Sequence, residues 1–87
     1  SDSTVSKYQI KHEINYNFFN NKKKCIISRE QKTTFDNYDS KSGGYSFGSD
    51  TSKKETIKNN IQKNINAFLD SVNTKNPELN CINENKP

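Results

Sequence analysis

From Tyr8 to Phe18 the chain alternates without a break. Tyr8, Ile10, His12, Ile14, Tyr16 and Phe18 share one parity, and Lys7, Gln9, Lys11, Glu13, Asn15 and Asn17 share the other. Side chains of a β-strand point to opposite faces with a period of two, so the run predicts a strand with one covered and one solvated face. The polar run Asn20-Asn21-Lys22-Lys23 reads as a turn, since asparagine tolerates positive φ. A second strand is predicted from about Lys24 to Phe35, with Cys25, Ile26 and Ile27 near its start. Runs so close together pair as a hairpin. In the second strand the parity of Cys25, Ile27, Arg29, Gln31, Thr33 and Phe35 is expected to face inward, growing more polar toward the end.

Between Asp36 and Asp50 the character changes. This stretch holds all three glycines (Gly43, Gly44 and Gly48) with Tyr38, Tyr45 and Phe47. It reads either as one long loop or as a loop that holds a short third strand around Tyr45–Phe47, and the rarity of long structureless loops in small domains favours the strand. From Ser52 the period becomes helical: Ile57, Ile61, Ile65, Phe68, Leu69 and Val72 form one stripe, with Lys58, Gln62, Lys63, Asn66 and Asp70 away from it. Ser52-Lys53-Lys54-Glu55 matches a capping box, and Pro77 marks the helix end. Leu79, Cys81 and Ile82 are expected to return the tail to the core. The predicted fold class is α+β: a small antiparallel sheet covered by one C-terminal amphipathic helix. The 87 residues make one domain, with residues 1–6 and 83–87 expected to fray.

Only 28% of the residues are hydrophobic, so a covalent staple matters. The chain has two cysteines, Cys25 and Cys81, far apart in sequence and each beside a predicted element. Paired, they close a loop whose entropy alone is worth roughly 4 kcal/mol, and they imply an oxidising compartment. The opening Ser1-Asp2-Ser3-Thr4 looks like the start of a processed chain, as left by a removed signal peptide or by lipoprotein trimming. There is no Asn-x-Ser/Thr sequon among 14 asparagines, which leans toward an envelope without N-glycosylation. No apolar stretch approaches the length of a membrane span.

No residue pattern points to catalysis, a metal or a cofactor. His12 is the only histidine and sits mid-strand, the carboxylates are scattered, and one histidine with two distant cysteines lacks any ligand spacing. Net charge is +4, with Lys22–Lys24 in a run and Lys53, Lys54, Lys58 and Lys63 along the helix. This is a phosphate-binding footprint, but solvated lysines account for it more simply. Gly44-Tyr45-Ser46-Phe47-Gly48 resembles the Gly-aromatic-x-aromatic part of the RNP1 motif, without the apolar positions that follow it in RNA-recognition domains.

The tyrosine-, serine- and glycine-rich segment is the composition of binding loops, with rigid aromatics among small polar residues. Tyr38, Lys41, Tyr45 and Phe47 are the candidate partner-binding residues. The expected function is that of a small exported, non-enzymatic protein-binding module. It would be an inhibitor or immunity-type factor in the periplasm or at the cell surface, with an acidic protein as its partner. The alternatives are an accessory envelope component, such as a trimmed lipoprotein, and, less favoured, a basic nucleic-acid binder. An open sheet edge offers a further binding mode, by strand addition.

Overall fold

The computed structural model describes residues 5–41 and 46–82, with only the backbone of 5–6, 40–41 and 46–51. The architecture is α+β: β1 (Val5–Asn20) and β2 (Cys25–Lys41) form an antiparallel hairpin, and α1 (Ser46–Lys75) lies along it. Residues 1–4 and 83–87, expected to fray, lie outside the described part, whereas Val5 and Ser6 already belong to β1. The turn is Asn21–Lys24. The side-chain carbonyl of Asn20 accepts the N–H groups of Lys22 and Lys23, both at 2.9 Å. Positive φ falls on Lys24 (55°) rather than on an asparagine.

β2 outruns its predicted end at Phe35 because β1 offers it partners as far as Val5↔Lys41. The third strand considered around Tyr45–Phe47 is not seen among the described residues, where the sheet has two strands; Tyr45 itself lies outside them. Ser46 and Phe47 instead open α1. Each residue added to an existing helix gains a backbone hydrogen bond, more than an isolated three-residue strand would gain. Ser52 is therefore inside the helix, where its carbonyl accepts the Thr56 hydroxyl (2.8 Å). The predicted capping box is not an N-terminus.

A bulge changes the phase of β2. Phe18 stands opposite Ser28 but Phe19 opposite Ile26, which leaves Ile27 as an extra residue. Cys25 and Ile27 face inward as expected, and Ile27 is buried. Past the bulge the inward parity switches to Ser28, Glu30, Lys32, Thr34, Asp36 and Tyr38. Phe35, expected inside, is half exposed on the outer face, with the Lys11 ammonium 5.9 Å above its ring.

The inner face is consequently split into two columns. β1 contributes Tyr8, Ile10, His12, Ile14, Tyr16 and Phe18, whereas β2 contributes mostly polar groups. The helix packs mainly on the polar column, running antiparallel to β2. Asn60 meets Thr34 and Asp36, Lys63 reaches Asp36, Ser71 meets Glu30, and Asn76 meets Ile27. The apolar core is small: among the described residues Ile27, Phe68 and Val72 are the buried hydrophobics. Phe68 stacks on Tyr16 (centroids 4.2 Å apart, 4° between planes) and meets Phe18 edge-on at 6.5 Å.

Beyond α1, the Asn76 carbonyl accepts the Leu79 N–H (3.0 Å), and its side chain bonds both backbone groups of Asn80. This turn delivers Cys81 to Cys25, bonded as a disulfide with Cα atoms 5.8 Å apart, ordinary disulfide spacing. Ile82 then donates its N–H to the carbonyl of Ile26 (2.8 Å). The molecule is a rod of 64 × 24 × 19 Å, with a radius of gyration of 19.0 Å. A compact globule of this length would have about 12 Å.

Candidate functional site

Two asparagines one helical turn apart, Asn60 and Asn64, have no exposed surface at all. Positions i and i+4 lie on one helix face, so both project onto the hairpin. Burying an amide is unfavourable unless each of its polar atoms finds a partner. Asn60 donates to the Asp36 carboxylate (2.7 Å), which fixes its oxygen as the acceptor of the Thr34 hydroxyl (2.9 Å) and of His12 Nδ1 (2.6 Å). His12 Nδ1 is therefore the donor in this contact, which ties the histidine into the network. Asn64 accepts from the Tyr16 hydroxyl (2.7 Å). Its amide donates toward the Lys32 carbonyl (2.9 Å), the Thr34 hydroxyl (3.0 Å) and the His12 carbonyl (3.2 Å). No buried side-chain nitrogen or oxygen among the described residues is without a partner.

The asparagine contacts also orient the hairpin backbone. One amide nitrogen reaches the carbonyls of both His12 and Lys32, so both carbonyls point into the gap between the strands. Even-numbered residues below the bulge thus bond across the hairpin, and odd-numbered residues direct their N–H and C=O groups to the outer edges. Lys63, which flanks β2, reaches the carbonyl of odd-numbered Phe35 (3.3 Å), as this requires.

Two carboxylates tie the helix to β2. The Asn60 amide, and then the Lys63 ammonium at 2.9 Å, hold the Asp36 carboxyl below its ordinary range. For Glu30 the Ser71 hydroxyl (2.7 Å) is the larger cause and Lys32 (3.0 Å) the second, again lowering the carboxyl.

At the open end of the hairpin, Tyr8 and Tyr38 stack across the strands (5.2 Å, 23°), with Tyr8 48% exposed. Of the candidate partner-binding residues, Tyr38 is thus in β2, half-buried against Tyr8. Lys41 ends β2 and Phe47 is the second residue of α1, with both side chains outside the described part, and Tyr45 lies outside it entirely. Because Phe47 is helical, the likeness to RNP1, a strand motif, fails. Alternation places Tyr8 on the covered face of the first strand, but its position opposite Tyr38 depends on a register that crosses a bulge, which alternation alone does not reveal.

The described lysines named above do not gather on one surface. Lys22–Lys24 occupy the turn at one end, and Lys54 and Lys58 flank Ile57 and Ile61 toward the N-terminal part of α1. Lys11, Lys32 and Lys63 each pair with a carboxylate. Among the described residues no three histidine, cysteine or acidic groups come together as a metal site. No described helix is long and apolar enough to cross a membrane. No family model, characterised protein or solved structure matches the chain.

Proposed function

We propose that the chain is an exported, non-enzymatic protein-binding module of the inhibitor or immunity type, engaging an acidic partner with the open end of its hairpin. The observation that carries this reading is the Tyr8–Tyr38 stack. It is a half-exposed, mutually braced aromatic pair, ordered before any partner arrives, and it continues through Lys41 into the Gly43-Gly44-Tyr45 segment. Preordered tyrosines supply contact area at low entropic cost, and they are frequent anchors of protein interfaces. The disulfide supports an oxidising compartment, and so export. The dispersed lysines favour steering toward an acidic protein over tracking a phosphate backbone.

The test is affinity capture from the source cell envelope with the wild-type chain and a Tyr8→Ala/Tyr38→Ala variant shown to be folded by circular dichroism. Selective loss of one protein with the variant is the expected outcome. Equal recovery of the same protein by both chains refutes the assignment of the open end. The rod shape favours one second reading, an accessory envelope component bridging larger parts. An N-terminal lipid in the mass spectrum of the native protein would support that reading.

A further inference from the structure

The apolar column of the hairpin lies on the strand that the helix covers less. Ile10 and Ile14 of β1 are only half-buried. On the helix, Ile61 and Leu69 are 36% and 49% exposed. Lys63 marks the β2 flank of α1, and Ile61 and Ile65 stand two residues to either side of it, about 200° around the helix and so toward β1. The described contacts that cover a strand edge all fall on β2, from Lys63 on the Phe35 carbonyl and Ile82 on the Ile26 carbonyl. The outer edge of β1 presents the backbone groups of Lys7, Gln9, Lys11, Glu13, Asn15 and Asn17. An open edge of this length beside uncovered apolar side chains is a template for another strand.

The sequence of that edge indicates which strand. Tyr8-Gln9-Ile10-Lys11-His12-Glu13-Ile14-Asn15-Tyr16 is a chemical palindrome centred on His12. We propose that β1 pairs with β1 of a second copy, antiparallel about a two-fold axis at His12, giving a continuous four-stranded sheet with both helices on one face. In this register Lys11 faces Glu13 of the other copy and Glu13 faces its Lys11. Gln9 faces Asn15, Ile10 faces Ile14, and Tyr8 faces Tyr16. The parity agrees, since each odd residue at the edge meets an odd residue, and both have outward backbone groups to exchange. Sliding the axis to Ile10 or Ile14 breaks the matching of charges or of apolar residues. The two apolar columns become the centre of the sheet and the polar β2 columns its margins. With strands about 4.8 Å apart, the helices stand about 10–14 Å from each other, leaving the Ile61 and Leu69 flanks to close the space between them.

Sedimentation equilibrium of the full oxidised chain tests this. Wild type is expected to form a concentration-dependent species of twice the 10.0 kDa chain mass. Lys11 and Glu13 are half exposed in one copy, so reversing either leaves the monomer fold in place, as circular dichroism checks. Lys11→Glu or Glu13→Lys alone sets like charges opposite each other twice, and each is expected to weaken the dimer about tenfold. The Lys11→Glu/Glu13→Lys double variant restores it, and an equimolar mixture of the two single variants associates more tightly than either alone. A wild type that stays monomeric at millimolar concentration overturns the proposal. So does a dimer indifferent to both reversals, and so does a mixture that fails to recover.

Discussion

Replacing Asn64 tests whether a hydrogen-bonded interior holds this fold together. Its oxygen accepts from Tyr16, and its two amide protons serve three acceptors, so about three good hydrogen bonds exist at any instant. At about 1 kcal/mol net each, they contribute about 3 kcal/mol. The carbonyls of His12 and Lys32 keep their ladder partners after truncation, but the Tyr16 hydroxyl is left unpaired under the helix, adding about 1 kcal/mol. Asn64→Ala should therefore cost about 4 kcal/mol. Asn64→Leu removes the same bonds but returns about 2 kcal/mol of apolar burial, for a net loss of about 2 kcal/mol. A domain of this size holds about 4–13 kcal/mol in total, so either loss is easily measured. The assay is urea unfolding followed by far-ultraviolet circular dichroism with the disulfide intact. Tyr16→Phe should cost about 1 kcal/mol in the wild type but return about 1 kcal/mol beside Asn64→Ala, because it removes the hydroxyl that the truncation leaves unpaired. If Asn64→Leu equals or exceeds wild-type stability, the polar interior is incidental and the reasoning fails.

Acid should weaken the fold through Asp36 and Glu30. Both folded pKa values lie below those of the unfolded chain, so their stabilisation is complete above about pH 5 and is lost as pH falls through the folded values. The urea midpoint should drop across that window, and drop less in an Asp36→Asn/Glu30→Gln variant. Reducing the Cys25–Cys81 bridge, which spans 56 positions, should cost about 4 kcal/mol, and a urea midpoint unchanged by reductant would contradict this. Phe68→Ala, which empties a buried site stacked on Tyr16, should cost about 3–4 kcal/mol, whereas Leu69→Ala at a half-exposed position should cost less than about 1 kcal/mol.

Alternation placed β1 and its faces, and the helical stripe located most of α1, because both signals are local. The phase of β2 was not local. It turns on Ile27, one residue in the apolar run Cys25-Ile26-Ile27 with no glycine to mark a bulge, and it decides that Phe35 faces out and Thr34 faces in. The polar interior is hidden from the sequence for a related reason. A hydropathy stripe favours Ile61 and Leu69, which are exposed, over Asn60 and Asn64, which are fully buried. With the correct phase, Thr34, Asp36 and Lys32 line the inner face, and a polar surface calls for a polar helix face above it. The disulfide was legible because its two residues had no other cysteine to join. Of the candidate site, Tyr38 could be placed only once the register set it against Tyr8.

The Cys25–Cys81 bridge also gives the rod a load path. Tension between Val5 and Ile82 runs along β1, around the turn and through the two sulfurs into the tail, bypassing β2 and α1. β1 is already extended, its 16 residues spanning about 53 Å. Pulled in this way, the oxidised molecule has little slack to release, and most of its fold hangs beside the line of force as an unloaded closed loop. Reduction places the 56 bridged positions in series, adding about 190 Å of contour. One bond thus separates a short, stiff strut from a long tether.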